Sequence, residues 1–460
     1  MHRFFRPVAI GLLSFAAFVS VALPAHAAVY GAESFTLANG MQVVVVPNHR
    51  APVVSLMIWY KNGAADDQPG TSGIAHFLEH LMFKGTPRYS AGAITDIVAR
   101  HGGEQNAFTS HDYTAYYENV AVEHMPLMMD IEADRMRNLA LDKKGVDTER
   151  EVIIEERRMR VDNVPAAILQ ERMAAALWMT NHYGVPVIGW EAEMRGLTQR
   201  DALDYYNKFY APNNAILLVS GDVTRDSFKP LAEKYFGVLA PAKGWNGKQT
   251  KRTRAPFLYH HSNVHVSMTH EQVTQPQWSR DTIAPSYNVG DLADVHALEV
   301  LSQLMGGGST AKMYRKLVIE QQVAATFSAG YDGETVSYGT FSVSMTPAPG
   351  VTPEKAEAAY DAALADLLKD GITDADVTLA KQRLNAQLAY AKDSPISAAQ
   401  QVGSALTAGL TLDQVESWPE ALAKVTAEDV RKAARKLFSE SSSVTGVLLP
   451  EAGAAGGPSQ

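Results

Sequence analysis

Cysteine is missing from all 460 residues of this chain. Its absence excludes disulfide bonds and any metal site built from thiolates, so a hydrophobic core has to stabilise the fold unaided. Basic charge is also scarce, since 41 lysines and arginines stand against 50 aspartates and glutamates, a formal net charge of −9. This balance gives no indication of nucleic-acid binding.

Long apolar runs are restricted to the N-terminus. Arg3 and Arg6 precede an apolar stretch at 8–23, which is followed by a small-x-small triplet at 25–27. This is the pattern of a secretory signal peptide, which we expect to span residues 1–27. No later stretch approaches the roughly 20 apolar residues that a membrane-spanning helix needs. We therefore expect a periplasmic protein without a membrane span.

One short motif, His76-Phe77-Leu78-Glu79-His80, indicates the chemistry. On a helix, His76 and His80 share one face because they are four residues apart, so both imidazoles can bind one zinc ion. Glu79 borders the same face, where its carboxylate can take a proton from a water, and it is the candidate general base. His-x-x-Glu-His is the inverted form of a zinc hydrolase motif and indicates a peptidase.

A catalytic zinc site needs a third protein ligand, and the best candidate segment is 148–160. Glu149 and Glu156 are seven residues apart, two turns along one helix face, with Val152 and Ile153 between them. One glutamate can bind the metal while the other supports the site. Taken alone, the segment is more typical of a solvated charged helix with Glu/Arg pairs, but the upstream motif favours the metal site.

These motifs resemble those of the pitrilysin-type inverted-motif metallopeptidases, in the branch of half-length chains that includes the mitochondrial processing peptidase subunits. Further matches are Phe83-Lys84-Gly85-Thr86, Asn106-Ala107-Phe108-Thr109-Ser110 with Asp112 and Thr114, and Asn181-His182-Tyr183-Gly184 leading to Ile188-Gly189-Trp190. The resemblance implies a zinc-dependent endopeptidase for unfolded or short peptides, with one zinc ion per chain. It also implies Glu156 as the third ligand and Glu149 as the supporting glutamate.

The resemblance further implies a substrate-binding strand. In the family, the segment matching Asn106 and Ala107 is an edge strand beside the metal, to which an extended peptide can add through main-chain hydrogen bonds. The local residues by themselves are equally consistent with a turn followed by a half-buried strand.

The chain departs from the family at two positions. Family members carry an arginine and a tyrosine, seven residues apart, that hold the substrate carbonyl and stabilise its oxyanion. The corresponding residues here are Val318 and Ala325. We therefore expect a heterodimer in which this chain supplies zinc and the base, and a zinc-less paralogous subunit supplies the arginine and tyrosine. A homodimer is the second possibility, and the alternative function is a non-catalytic peptide-binding or assembly subunit with a vestigial zinc site.

Strand-like and helical patterns occur in two cycles along the chain. The first contains a hairpin around Asn39-Gly40, a β-branched run at 53–60, long helical patterns and a strand at 215–220. The second begins with a strand at 264–269 and ends with one at 443–449. This order predicts an α+β fold of two similar domains, each an antiparallel sheet packed with helices.

The same patterns predict the domain boundaries. We expect a zinc-bearing catalytic domain at 28–240 and a linker at 241–256, whose basic run we expect to be solvated. A second, homologous domain without the metal motif follows at 257–450, and a Gly/Ala-rich disordered tail at 451–460.

Overall fold

A computed structural model of the chain describes residues 28–248, 252–254, 262–440 and 442–451. The predicted signal peptide at 1–27, most of the predicted tail and part of the predicted linker lie outside these ranges. In the described part of the chain, two mixed sheets form, and helices pack against them.

The first sheet has six strands from the first half of the chain. They are β1 (Glu33–Thr36), β2 (Gln42–Pro47), β3 (Val53–Tyr60), β4 (Glu104–Thr109), β5 (Thr114–Ala121) and β6 (Ala215–Gly221). Their order across the sheet is β1-β2-β6-β3-β5-β4, which leaves β4 at one edge. The hairpin predicted around Asn39-Gly40 is confirmed, and Gly40 adopts a φ of +87°, a left-handed conformation that glycine reaches without steric cost.

Among its described residues, this half contains eight α-helices. They are α1 (Ile74–Leu81), α2 (Ala93–Arg100), α3 (Met125–Asn138), α4 (Lys143–Arg157), α5 (Pro165–Trp178), α6 (Glu191–Met194), α7 (Gln199–Phe209) and α8 (Arg225–Tyr235). The metal motif therefore lies on α1, and both candidate glutamates lie on α4, Glu149 near its middle and Glu156 in its last turn, as the helix predicted for this segment requires.

The second half repeats this arrangement. Its strands are β7 (Asn263–His270), β8 (Gln277–Ala284), β9 (Ala324–Asp332), β10 (Gly339–Pro347) and β11 (Ser443–Pro450). Its helices are α9 (Leu292–Gly306), α10 (Lys312–Tyr314), α11 (Pro353–Asp366), α12 (Asp374–Asp393), α13 (Pro395–Ala408), α14 (Leu412–Glu416), α15 (Trp418–Lys424) and α16 (Ala427–Glu440).

The two sheets have the same strand order. The order β7-β11-β8-β10-β9 repeats β2-β6-β3-β5-β4 position by position, which confirms an α+β fold of two similar halves. Each sheet also contains one parallel pairing that sequence patterns did not predict, between β2 and β6 and between β7 and β11. Helical crossovers separate these strands in the chain, so the last strand of each half can return in the same direction and insert between two earlier ones.

The halves exchange one helix each. Helix α13 of the second half covers the first sheet, where Gly403 lies directly against the ring of Trp59. Helix α5 of the first half covers the second sheet, where the sulfur of Met173 lies against Gly446. The contact at Gly403 is so close to a rigid ring that a side chain larger than hydrogen has no room there. The exchange locks the two halves together through hydrophobic contacts.

The predicted linker also joins the halves. Arg254 is half-buried, and its guanidinium donates to Oδ1 of Asp66 at 2.6 Å and to Oδ1 of Asp112 at 2.7 Å. Asp112 in turn accepts a hydrogen bond of 2.9 Å from the backbone N–H of Val336 in the second half. The expectation that this basic run is solvated is therefore wrong for Arg254, because the buried carboxylate of Asp112 and the half-buried carboxylate of Asp66 compensate its charge.

We find no helix in the described ranges with the length and apolar character that a membrane crossing requires.

Candidate metal centre

Helix α1 begins at a tightly held turn. Gly73 precedes it with a φ of +84°, and the buried carboxylate of Asp67 accepts from the N–H groups of Gly73 at 2.8 Å and Ala75 at 3.3 Å. These are N–H groups without partners inside the helix, so Asp67 caps it from six residues upstream of Gly73. The capped helix presents His76 and His80 on one face, with ring centroids 4.7 Å apart.

Glu156, in the last turn of α4, completes a cluster with the two histidines. Its Oε2 lies 3.2 Å from Nε2 of His80 and 3.7 Å from Nε2 of His76. The three candidate ligand atoms all lie within 4.8 Å of one another. The other oxygen, Oε1, is paired with Nη1 of Arg160 at 2.9 Å.

The donor atoms fit a zinc ion. Oε2 of Glu156 is buried and makes no hydrogen bond of acceptable geometry, although the two imidazoles face it. Such a buried oxygen is costly unless a cation compensates it. Two imidazole nitrogens and one carboxylate oxygen are a typical zinc ligand set that leaves a fourth position open. The cluster therefore has the chemistry that a catalytic zinc site requires.

Glu149 supports the cluster from behind His80. Its Oε1 lies 2.9 Å from Nδ1 of His80, and its Oε2 is paired with the ammonium of Lys84. This contact directs Nε2 of the imidazole toward Glu156. Burial raises the pKa of Glu149, but the bonds from His80 and Lys84 outweigh it and hold the carboxyl pKa below its usual value.

The two histidines differ in their protonation. Burial, together with the nearby His80, lowers the pKa of His76 to about 4. Burial also lowers the pKa of His80, but the carboxylates of Glu149 and Glu156 outweigh it and raise the pKa to about 9. Before a metal binds, His76 is therefore neutral at pH 7 while His80 carries a proton, which metal binding must displace.

Glu79 lies on the same helix with its carboxylate buried beside the cluster. Its Oε2 accepts a hydrogen bond of 2.5 Å from Oγ1 of Thr109, whose oxygen lies 3.4 Å from that of Thr114. Burial raises the pKa of Glu79, and the bond from Thr109 lowers it in part. A carboxyl group with a raised pKa is better suited to hold a proton during a reaction.

Asn106 and Ala107 lie on β4, the edge strand beside the cluster. Within the described residues, β4 pairs with β5 only, and Asn106 is exposed. A cavity of about 960 Å³ is lined by both residues together with His76, Glu79, His80 and Glu156. The structure therefore brings the predicted ligands, the candidate base and the predicted substrate-binding residues to one cavity, whereas Glu149 lies behind His80 and does not line it.

Every residue that lines this cavity comes from positions 76–188. Val318 lies in a short π-helix at 315–320, and Ala325 lies at the start of β9. In the described part of the chain, the second half thus contributes no arginine or tyrosine to the cavity wall.

Sequence reasoning missed the contacts that hold the site residues in place. Thr109 and Thr114 match the family pattern but have no role predicted from the sequence, and the sequence patterns give no role to Asp67. Arg157 was also missed: its Nη1 donates to Glu171 and to the backbone oxygen of Gly189, both at 2.8 Å, which anchors the chain next to Glu156. Asp67 lies six residues before the N-cap residue Gly73, so the usual preference for an acidic N-cap residue does not identify it.

Comparison with known families matches both halves of the chain. The family described as insulinase, peptidase family M16, matches residues 42–190, and the family described as peptidase M16 inactive domain matches residues 196–384. The first match contains the metal cluster, and the second contains most of the second half.

Individual proteins resemble the chain over nearly its whole length. The zinc protease PqqE of Helicobacter pylori is 29% identical over 437 residues, covering 93% of this chain and 94% of that protein. The crystal structure of a protease from Helicobacter pylori superposes with a TM-score of 0.82 at 27% identity, covering 91% and 99% of the two chains. The periplasmic protease PqqL of Escherichia coli has a similar fold, with a TM-score of 0.75 at 17% identity; 90% of this chain matches 47% of that one.

Proposed function

The chain belongs to peptidase family M16, and we propose that it is the catalytic subunit of a heterodimeric zinc-dependent endopeptidase that hydrolyses unfolded or short peptides. The family and the zinc cofactor expected from the sequence are confirmed by the matches above. The observation that carries the catalytic proposal is the convergence of His76, His80 and Glu156 in one cavity, with the carboxylate of Glu79 beside them.

His76, His80 and Glu156 would hold the zinc ion. When bound, zinc supplies Lewis-acid chemistry, which polarises a carbonyl group and makes a water molecule more acidic. Glu149 keeps the ring of His80 oriented through its bond to Nδ1. Such outer contacts fix both the tautomer and the direction of a ligating imidazole.

Glu79 would act as the general base. Because its Oε2 accepts the bond from Thr109, we expect the proton of the attacking water to reach the other oxygen, Oε1. Glu79 then holds this proton until it is passed to the leaving amine. The raised pKa that burial imposes on this carboxyl favours the protonated intermediate state.

The open side of β4 would bind the substrate. An extended peptide can form main-chain hydrogen bonds with the outer edge of this strand, at Asn106 and Ala107, and its scissile bond then lies over the metal cluster. Binding of this kind depends little on side chains, so many sequences can be accepted. It does require an extended backbone, which excludes folded proteins as substrates.

A partner subunit would supply the groups that stabilise the oxyanion. The cavity wall contains no arginine or tyrosine from the described second half, and Val318 and Ala325 occupy the expected positions. The likeness to one half of PqqL supports pairing, because that single chain is about twice as long as the part matched here. We propose a zinc-less paralogue as the partner and a periplasmic location, which the signal-peptide pattern at 1–27 supports.

The test is peptide hydrolysis by the purified chain, with and without a zinc-less paralogue from the same genome. Glu79→Gln serves as the blank, because it should retain zinc while turnover falls by about 10²–10⁴-fold. His80→Ala should lose both zinc and turnover. Activity only in the mixture supports the proposal, while full activity of the chain alone contradicts the heterodimer and favours a homodimer. Inactivity in both samples, with zinc bound, contradicts catalysis and favours a peptide-binding or assembly subunit.

A further inference from the structure

A second cavity, of about 310 Å³, lies in the second half of the chain and is closed on one side by the N-terminal segment. Its lining combines aromatic side chains with two carboxylates: Tyr30, Tyr287, Tyr331, Trp418, Glu299 and Glu334. Glu416 fixes the N-terminal segment in place, because its two carboxylate oxygens accept from the N–H groups of Tyr30 at 2.8 Å and Ala32 at 2.7 Å. The cavity is thus a built feature of the fold.

Neutral hydrogen-bond donors orient Glu299. Its Oε1 accepts from the hydroxyl of Tyr287 at 2.6 Å, and its Oε2 accepts from Nε1 of Trp418 at 3.0 Å. Nδ1 of His296, on the same helix, lies 3.2 Å from Oε2. The carboxylate is therefore held by two groups of the cavity wall itself.

Glu334 has little compensation for its charge. The hydroxyl of Ser404 donates to it at 3.1 Å, and among the described residues no lysine or arginine forms an ion pair with Glu334 or Glu299. Glu334 lies at the open side of the cavity, where the residue is exposed, but the atoms packed around its carboxyl group desolvate it and, together with the negative charges of Glu299 and Asp332, raise the pKa of Glu334 to about 7. Two carboxylates thus share one small cavity without a resident cation.

The chemistry of the walls selects an organic cation. In the described ranges, the groups able to surround a metal ion are His76, His80 and Glu156, so Glu299 and Glu334 do not form such a cluster. Aromatic rings attract a cation through their faces but cannot replace the water of a small metal ion. We propose that this cavity binds an alkylammonium group, with its nitrogen between the carboxylates and its alkyl chain against the aromatic side chains.

Two sources can supply this chemistry. One is a free diamine, and a cavity of this size is at the lower limit for a small-molecule site. The other is a lysine side chain of a bound peptide. Two neighbouring cavities lie next to this one: Glu334 also lines the first, and Tyr331 also lines the second. Ala174 lines both of them and also lines the cavity that contains His76, His80 and Glu156.

Calorimetry on the zinc-loaded full chain tests the proposal without requiring catalysis. At pH 8, where Glu334 is ionised, putrescine should bind and 1,4-butanediol, its neutral analogue, should not. Glu334→Gln should weaken putrescine binding by about tenfold or more, because it removes one charge-assisted contact. Asp204→Asn removes a carboxylate whose side chain is 71% exposed and is the matched control for general attraction to an acidic protein.

The outcomes are distinct. Binding of putrescine that depends on Glu334 supports the free amine. The peptide source is tested with Glu79→Gln, which should bind a lysine peptide more tightly than its norleucine analogue. Loss of this difference in Glu79→Gln/Glu334→Gln supports the peptide source. No binding of either probe, or equal weakening by Asp204→Asn, overturns the proposal. Glu299→Gln, which keeps an acceptor for Tyr287, provides a second variant if Glu334→Gln does not fold. Failure of the peptidase proposal leaves this test intact.

Discussion

The hydroxyl of Thr109 donates a hydrogen bond to Glu79, with Oγ1 of the threonine 2.5 Å from Oε2 of the carboxylate. The two residues come from different elements, the edge strand β4 and helix α1. The strand proposed to bind the peptide therefore also positions the proposed base. This contact makes the position of Glu79 dependent on the register of β4 against its neighbour.

Removing this bond should alter the pH dependence of hydrolysis. In Thr109→Val, the pKa of Glu79 should rise, because the bond from Thr109 is one of the influences that lower it. The acid limb of the kcat/KM profile should move to higher pH, and kcat should fall by about tenfold, the value of one hydrogen bond to a charged group. Thr109→Ser keeps the hydroxyl and should restore the profile. An unchanged acid limb in Thr109→Val would show that the contact does not act on the base.

Loss of the supporting glutamate should weaken zinc binding. Glu149→Ala removes the acceptor for Nδ1 of His80, which should lower zinc affinity by about 10–100-fold. Titration with a competing chelator measures the change, and it needs no enzymatic activity. Glu151→Ala, at an exposed position of the same helix, is the control and should leave affinity unaltered. Equal affinities in the two variants would remove Glu149 from the site.

The exchanged helix α13 should tolerate no side chain at Gly403. An added Cβ would overlap the ring of Trp59, which is itself fully buried in the first sheet. Gly403→Ala should therefore lower the free energy of unfolding by about 1–3 kcal/mol, as overpacking of a core does. Gly330→Ala is the matched control, because nothing lies near its Cβ position. Thermal or denaturant unfolding distinguishes the two, and similar stabilities would argue against the close packing of α13.

Stability should depend on Asp112 in a pH-dependent way. Burial raises the pKa of Asp112, but Arg254 and Arg252 outweigh it and hold the pKa below its usual value. The ion pair therefore stabilises the fold above the unfolded-state pKa of about 3.9, and this contribution is lost as the pH falls through the lower folded-state pKa. Asp112→Asn should cost about 3 kcal/mol at pH 7 and progressively less below about pH 4.

Denaturant unfolding of Asp112→Asn between pH 2.5 and 7 measures this dependence. Asp130→Asn is the control, since its partner Arg88 is largely exposed and such pairs contribute about 0–1 kcal/mol. A cost for Asp112→Asn that stays constant across this range would contradict the assigned ionisation.

Features that depend on neighbouring residues were predictable from the sequence. The four-residue spacing of His76 and His80 places them on one face of any helix, and the turn at Asn39-Gly40 forms the expected hairpin. It was harder to predict which glutamate binds the metal, because Glu149 and Glu156 lie on the same face of α4. Spacing alone could not assign their roles, and the family resemblance favoured Glu156, the residue that the structure places within reach of both Nε2 atoms.

The sequence by itself indicated the family and its zinc cofactor, because its motifs resemble those of known metallopeptidases. It also predicted the helix that carries the metal motif and the repeated α+β pattern, because each follows from periodicity or from residues close together in the chain. Tertiary structure alone decided the contact of Thr109 with Glu79, the capping of α1 by Asp67, the parallel pairings and the exchange of α5 and α13. Apart from the cap at Asp67, which spans six residues, these features join residues that are separated by at least one element or by half the chain. Their geometry depends on how sheets and helices pack, and no local pattern of side chains encodes it.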